Sequence, residues 1–373
     1  MSNPSGEGRL YGIYHSNRSG RDLWGKNQFN STFPTALSNY MRDRQIPAVY
    51  LNIGNDQSFQ NEEVSIDTIF GTSLPAEDLY FKYESVFNPF GDVVIGPTEK
   101  VDLIVCAADK ENHEFVVEGE QIRALEVKLT VVPDSTTYLK PEPEWGPEMV
   151  IRPATTKYCA MSMAYNLRNR RDEIRDLLEA DFAGVQDWGN QSECLGILET
   201  ALDRLNDFEN VFSSSQIPIV LQPIWKTAGK SPDLSDDCFD IFAWSNFAIA
   251  RVIIDQARNS IGTTSISRQA RSALQLIRFL FEFGRSGNAH IFNIHSQMTY
   301  GPQSDKAFAI SGTKTRTYMT SPRAYAPMVS KDALSEIILD DGAGNLSPER
   351  RFDQSILIEA LKQEIESLKA EIG

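Results

Sequence analysis

Residues 122–134, IRALEVKLTVVPD, place two opposite charges on one face of an otherwise apolar segment. The odd-numbered positions from 125 to 131 are Leu or Val, and Glu126, Lys128 and Thr130 occupy the positions between them. Because strand side chains alternate between two faces, this pattern predicts a half-buried β-strand over residues 124–132. A purely structural strand does not require a carboxylate beside an ammonium, so Glu126 and Lys128 are candidates for chemistry.

A second carboxylate lies on the strand that is predicted just before it, over residues 101–107 (VDLIVCA). Val101, Leu103 and Val105 alternate along one face of this segment, which places Asp102 on the other face. If the two strands pair, this alternation brings Asp102, Glu126 and Lys128 together at one edge of the sheet.

Two carboxylates and a lysine match the requirements of metal-assisted phosphodiester hydrolysis. Asp102 and Glu126, with the carbonyl of Val127, would bind Mg²⁺, which prefers oxygen ligands. Lys128 would orient or deprotonate the attacking water and stabilise the transition state. Glu84, on a helix predicted over residues 77–86, is a weaker candidate for an additional acid. An exposed structural ion pair remains the alternative, because D…ExK at unfixed spacing also arises by chance.

The predicted elements follow an α-β-β-β-α-β order around these residues. Helices are expected over residues 35–44, 77–86, 155–182, 239–258 and 268–284, and strands over 92–95, 101–107, 124–132 and from 218. This order resembles the PD-(D/E)XK nuclease fold, an α/β core of a mixed β-sheet flanked by helices, here with extra helical and loop elaborations. Val101 stands where the motif name has proline, which makes the motif less specific.

Three longer stretches resemble the HindVP-type family of type II restriction endonucleases. They are HSNRSGRDLWGKNQFNSTFPTALSNYM (15–41), RALEVKLTVVPD (123–134) and LQPIWKT with CFDIFAWS (221–227 and 238–245). The resemblance spans about residues 11–325. It implies a homodimer that cuts double-stranded DNA with Mg²⁺ at a short palindrome, GRCGYC, alongside a cognate DNA methyltransferase. Asp102, Glu126 and Lys128 stand at the positions that match the family's motif.

Composition fits one elaborated domain over residues 1–373, with a catalytic core at about 77–227. The chain has 373 residues, of which 41% are hydrophobic and 23% charged. No apolar run is long enough to cross a membrane and the start lacks a secretory signal, so a cytoplasmic protein is expected. The four scattered cysteines predict buried thiols and neither a zinc site nor a disulfide framework.

Charge is distributed unevenly along the chain, whose net charge is −15. Residues 1–50 contain six Lys and Arg against three acids, and residues 306–331 contain five against none. Both stretches are therefore candidate DNA-contact elements, with the solvated loop as the alternative. The candidates are Lys314, Arg316 and Arg323 first, then Arg18, Lys26, Asn27 and Asn30.

Two other functions compete with restriction. One is a repair or junction-resolving nuclease of the same fold, which recognises DNA structure and not sequence. The other is a non-catalytic acidic protein that binds DNA or another partner. The apolar spacing over residues 354–372 also predicts a C-terminal helix, which packs against its own domain or serves in dimerisation.

Overall fold

A mixed β-sheet runs through this computed structural model, which describes residues 23–109, 117–133, 147–229, 233–262, 264–300, 306–334, 336–337 and 369–370. The strands are β1 (Ala48–Ile53), β2 (Phe59–Val64), β3 (Leu79–Val86), β4 (Lys100–Asp109), β5 (Val117–Val127), β6 (Thr130–Pro133), β7 (Met149–Ile151), β8 (Pro218–Thr227), β9 (Leu234–Ser245), β10 (Phe308–Ile310) and β11 (Val329–Ser330). Nine of these form the sheet, in the order β2-β1-β9-β8-β5-β4-β3, with β6 on β8 and β11 on β9. β7 and β10 pair separately.

Helices cover both faces of the sheet and give an α-β-α arrangement. They are α1 (Leu23–Asp43), α2 (Ile66–Phe70), α3 (Pro153–Asn166), α4 (Arg171–Phe182), α5 (Gln191–Phe212), α6 (Asn246–Arg258), α7 (Arg268–Ser286), α8 (Ile291–Gln297) and α9 (Gly312–Thr315). One buried cluster joins α1 and α2 to side chains such as Leu103 and Leu125. A second buried cluster packs the helices from α3 through α8 against the opposite face of the sheet. It includes Ile104 and Ala124. The mixed sheet flanked by helices is the predicted fold class.

The fifth strand changes partner along its length. Its first part pairs antiparallel with β4, as far as Leu103 opposite Leu125. Its last two residues pair parallel with β8, where Glu126 lies opposite Val220. β4 and β5 therefore separate just after Leu125. Polar side chains in the gap between these two strands have hydrogen-bonded strands on both sides.

The predicted strand over residues 101–107 and the strand beginning at 218 are confirmed, as is the helix over 268–284. The strand predicted over 124–132 is divided at residues 128–129, and it begins earlier than expected. The helix predicted over 155–182 is interrupted after Asn166 by a short 3₁₀ turn. The helix predicted at 35–44 is the second half of α1. Val101 departs from the predicted alternation. It belongs to one buried cluster, whereas Leu103 and Val105 belong to the other.

Two predicted elements are wrong, and a third is wrong in its first part. Residues 79–86 form β3, because Leu79 and Phe81 alternate inward with period two, so Glu84 lies on a strand and not on a helix. Residues 92–95 follow a 3₁₀ turn and make only an isolated bridge, between Val94 and Ala289. In the helix predicted over 239–258, residues 239–245 belong instead to β9, a strand buried on both faces whose continuous apolar run cannot be distinguished from a helix by periodicity. The rest of that prediction is confirmed, because Asn246–Arg258 form α6.

Two predictions from composition can also be compared with the structure. All four cysteines are buried and unpaired, as expected. Among the described residues, no helix combines the length and the apolar character that a membrane crossing requires. The C-terminal helix predicted over 354–372 lies outside the described residues except for residues 369 and 370, which are helical.

The Tyr158 hydroxyl on α3 connects the two strands that meet at the gap. Its oxygen lies 2.6 Å from the carbonyl of Ala124 on β5 and 3.0 Å from that of Ile219 on β8. Tyr158→Phe should lower the free energy of unfolding by about 1–3 kcal/mol, because these buried carbonyls lose a donor. Urea unfolding measures this change. Tyr165→Phe, on the same helix, is the control, because its hydroxyl makes no hydrogen bond within the described residues. Equal stability of the two variants would contradict this role.

Candidate active site

Three carboxylates lie in one row across neighbouring strands. In the antiparallel register of β3 and β4, Tyr83 pairs with Leu103 and Ser85 with Val101, so Glu84 and Asp102 occupy opposing positions. Extending the β4–β5 register by one residue beyond Leu103 and Leu125 places Asp102 opposite Glu126. Directly opposed residues share a face of a sheet. The predicted meeting of Asp102 and Glu126 is therefore present, although it lies inside the sheet and not at its edge.

Asp102 takes the place of a strand partner where β4 and β5 separate. Its Oδ2 accepts a hydrogen bond of 2.7 Å from the backbone N–H of Val127, and Oδ1 receives none from the described residues. Burial, followed by repulsion from Glu126, raises the pKa of Asp102 to about 7, against the opposing effects of the Val127 N–H and Lys128. The carboxylate is thus anchored by one oxygen in an environment that disfavours its charge.

Glu126 is buried and is held by two donors. Lys128 Nζ lies 2.5 Å from Oε1, and the Thr155 hydroxyl on α3 lies 3.2 Å from the same oxygen. Only 8% of Glu126 is exposed to solvent. No hydrogen bond from the described residues reaches Oε2. The ion pair of Glu126 and Lys128 is therefore largely buried. It is not the exposed structural ion pair that the sequence left as the alternative.

Glu84 adopts an unusual backbone conformation beside this pair. Its φ is +46°, in the left-handed region that non-glycine residues rarely adopt. Partial burial, and then repulsion from Glu126, raises the pKa of Glu84. Such backbone outliers are concentrated at functional sites, where the surrounding structure imposes them. Glu84 is thus electrostatically coupled to the other two acids, although it reaches them from a strand.

The donors present here fit a small divalent cation. Asp102 Oδ1 and Glu126 Oε2 are hard oxygen atoms that receive no hydrogen bond from described residues, and each partner oxygen is already anchored. The N–H and C=O of one strand residue point toward the same neighbour, so the Val127 carbonyl also faces Asp102. Within the part of the chain that is described, no three acidic, His or Cys side chains form a metal site by themselves. A cation here would combine two carboxylates with the carbonyl and water.

The basic tract of residues 306–331 contains short strands and a helix and is not simply a solvated loop. β10 pairs with β7, which leads directly into α3, and α9 follows. Lys314 on α9 is exposed and Arg316 is half-buried, so both remain available for contact with DNA. The tract is thereby joined to the same helix that contacts Glu126.

Arg323 does not fulfil the predicted DNA contact in this structure. It is only 7% exposed, and its Nε donates to Asp240 Oδ2 at 2.9 Å. Its other nitrogens donate to Asp240, the Pro47 carbonyl and Glu63. A guanidinium enclosed and bonded in this way has no free face for a base or phosphate.

The N-terminal candidates fall outside what the structure describes. Arg18 precedes the described residues, and the side chains of Lys26, Asn27 and Asn30 are not included in the description of α1. Thr155, in contrast, contacts Glu126 and was not predicted from the sequence. Its position at a helix start carried no signal, because its contact with Glu126 is made between a helix and a strand.

The chain is similar to known proteins over most of its length. The model of the HindVP restriction endonuclease family matches residues 24–361. The type II restriction enzyme HgiDI of Herpetosiphon aurantiacus is 34% identical over 350 residues, which cover 93% of this chain and 95% of that protein. The probable type II restriction enzyme HindVP of Haemophilus influenzae is 33% identical over 349 residues, with 93% and 92% covered. No solved structure matches the chain.

The raised pKa of Asp102 predicts a pH-dependent loss of stability in the metal-free protein. The folded-state pKa of about 7 exceeds the ordinary value of 3.8, so the folded state binds the proton more tightly. The stability that this tighter proton binding gives the folded state is complete below about pH 4 and is lost as the pH rises toward 7. Asp102→Asn should therefore gain about 1–3 kcal/mol relative to the unsubstituted protein between pH 5 and pH 8.

Urea unfolding in EDTA at both pH values measures this gain. Asp109→Asn, which removes the same formal charge at the other end of β4, is the control. An Asp102→Asn variant whose stability falls with pH as steeply as that of the unsubstituted protein would refute the assignment.

Proposed function

The chain belongs to the HindVP restriction endonuclease family, and we propose that it is a type II restriction endonuclease that hydrolyses phosphodiester bonds of double-stranded DNA. Two relatives that match over most of their length are named as type II restriction enzymes. The observation that carries the proposal is the meeting of Asp102, Glu126 and Lys128 where β4 and β5 separate. This meeting of two carboxylates and a lysine is the arrangement that a D…ExK site would need.

Asp102, Glu126 and the Val127 carbonyl would hold Mg²⁺. When bound, the ion would lower the pKa of a water molecule and neutralise charge on the phosphate. Asp102 is prepared for this task because the Val127 N–H fixes one of its oxygens. Glu126 is prepared in the same way by Lys128 and Thr155, which both bind Oε1. Glu84 is proposed as an additional acid that adjusts the negative charge of the site.

Lys128 would act on the substrate with its ammonium group. Its side chain is only 13% exposed and lies against Glu126, so the amine is confined close to the carboxylates. From this position it would orient the attacking water or help to deprotonate it. Its charge would also stabilise the negative charge that develops on the phosphate during attack. Stabilising the phosphate requires Lys128 to exchange its contact with Glu126 for one with DNA.

The wider assembly follows from the expected substrate. A palindromic site, with GRCGYC as the candidate, contains two symmetric scissile bonds, so a two-fold homodimer would place one active site at each. We place the catalytic core at about residues 77–227 of one elaborated domain covering 1–373. A cognate DNA methyltransferase would protect the host site, and the enzyme would work in the cytoplasm, where that DNA lies.

DNA would be bound through the basic tract and the N-terminal block. Lys314 and Arg316 are the described candidates, and Arg18, Lys26, Asn27 and Asn30 remain candidates from the sequence. Because β10 pairs with β7 ahead of α3, the tract is connected to the site by a short, hydrogen-bonded path. Local positive charge on an acidic protein would direct the polyanion to this region.

Removal of Glu126 should abolish cleavage without preventing DNA binding. Digestion of a sequenced plasmid with Mg²⁺ should give a defined ladder, and run-off sequencing should place all ends at one sequence. Glu126→Ala should slow cleavage by about 10³-fold or more, because metal charge stabilisation is worth several kcal/mol. With Ca²⁺, which tolerates looser coordination, the unsubstituted protein should bind the site without cutting.

Glu118→Ala is the matched control. Glu118 is an acid on the same strand as Glu126, but it pairs with Lys82 away from the site. It should cut at the parental rate. If Glu126→Ala also cuts at that rate, the catalytic assignment is wrong. If the parental protein cuts only branched or damaged DNA, the structure-specific nuclease is correct instead.

Lys314→Ala should weaken DNA binding and reduce its salt dependence. Loss of one phosphate contact should reduce the slope of log K against log salt by about one. Binding is measured in Ca²⁺ by fluorescence anisotropy at several salt concentrations. Lys331→Ala is the control, because Lys331 lies in the same tract but pairs with Asp236 at 2.6 Å. Equal slopes for the two variants would exclude Lys314 from the DNA interface.

A further inference from the structure

The start of α3 lies against the buried acid of the site. Thr155 is the third residue of this helix and is only 1% exposed. Its hydroxyl lies 3.2 Å from Glu126 Oε1. We propose that Thr155 is a positioning residue that fixes the Glu126 carboxylate for metal binding, an inference that rests on the function proposed above.

The direction of the Thr155 hydrogen bond is determined by its second partner. The backbone N–H of Arg152 lies 3.4 Å from Thr155 Oγ1, and an amide can only donate. A hydroxyl has one proton, and here the amide occupies an acceptor position. The proton of Thr155 is therefore directed to Glu126, whose carboxylate can only accept when ionised.

The two donors to Glu126 leave a defined oxygen available. Lys128 and Thr155 both bind Oε1, so Oε2 receives no hydrogen bond from the described residues. A carboxylate fixed at one oxygen has its other oxygen fixed in direction as well. Glu126 would then offer Oε2 to a cation without losing rotational freedom at the moment of binding.

Thr155 performs a task that Lys128 cannot perform alone. Lys128 has a long, flexible side chain, and in the proposed reaction it moves to the phosphate. Thr155 is β-branched, with few rotamers, and its backbone is held within α3. When the lysine leaves, the threonine hydroxyl remains as the donor that keeps Glu126 in place.

The test measures metal binding directly. Thr155→Val removes the hydroxyl and preserves the shape of the side chain. Mn²⁺ is titrated into the DNA-free protein while free Mn²⁺ is followed by electron paramagnetic resonance. The dissociation constant should rise about tenfold or more, as is usual when a group that orients a metal ligand is removed. Thr155→Ser, which restores the hydroxyl, should bind as tightly as the parent.

Cleavage supplies a second readout that separates positioning from general damage. The Mg²⁺ concentration for half-maximal cleavage should rise for Thr155→Val by about the same factor. At saturating Mg²⁺ the rate should return to within about threefold of the parent, because Glu126 and Lys128 are intact. A purely structural role would lower the rate at every Mg²⁺ concentration equally.

Thr156→Val is the matched control, because Thr156 is the neighbouring buried threonine. Its hydroxyl lies 3.5 Å from the Arg152 carbonyl, and among the described residues only Lys128 and Thr155 donate hydrogen bonds to Glu126. It should bind Mn²⁺ like the parent. Thr155→Ala removes the same hydroxyl and gives the same test should the valine variant fail to fold.

Unchanged Mn²⁺ affinity in Thr155→Val, or an equal loss in Thr156→Val, would overturn the proposal. Failure of the proposed function looks different, because the parental protein would then cut no DNA at all. The Mn²⁺ comparison would still decide the role of Thr155. Glu126→Ala, titrated in parallel, shows whether the measured Mn²⁺ site is the one that contains Glu126.

Discussion

One hydrogen bond organises the site: the backbone N–H of Val127 donates to Asp102 Oδ2 at 2.7 Å. β5 leaves β4 at this point to pair with β8, and an amide that loses its ladder partner must find another acceptor. The Asp102 side chain supplies that acceptor. The change of strand partner thus fixes both the position of the carboxylate and the oxygen that it leaves available, so the fold and the site depend on the same contact.

Electrostatics explain why such a site would favour a cation. Asp102 and Glu126 are largely removed from water and repel each other, and the raised pKa of Asp102 expresses this conflict. Lys128 offsets only part of it, by pairing with Glu126. Removing water strengthens every charge interaction within the site, including interactions with a metal and a phosphate. The repulsion between the two carboxylates is therefore the counterpart of the affinity proposed for a divalent cation.

The sequence predicted the parts of the molecule in which a local pattern matches a local structure. Alternation around Asp102 and Glu126 identified the two strands and their meeting, and Arg268 to Gly284 was recognised as a helix. Contacts between elements were not predictable from local patterns. The burial of Arg323 depends on Asp240, 83 residues away, and Thr155 acquires its role only when α3 packs on β5. The helix α5 was missed, although Asn190 as its cap and the spacing from Cys194 to Phe212 carry a helical signal.

The most direct test of the account is crystallographic. Crystals of the protein soaked in Mn²⁺ give an anomalous scattering peak at each bound ion. We expect a peak between Asp102 Oδ1 and Glu126 Oε2, at roughly 2.0–2.6 Å from both oxygens, as is usual for hard divalent cations. An ion bound elsewhere, with Asp102 and Glu126 still contacting only the partners described above, would contradict it.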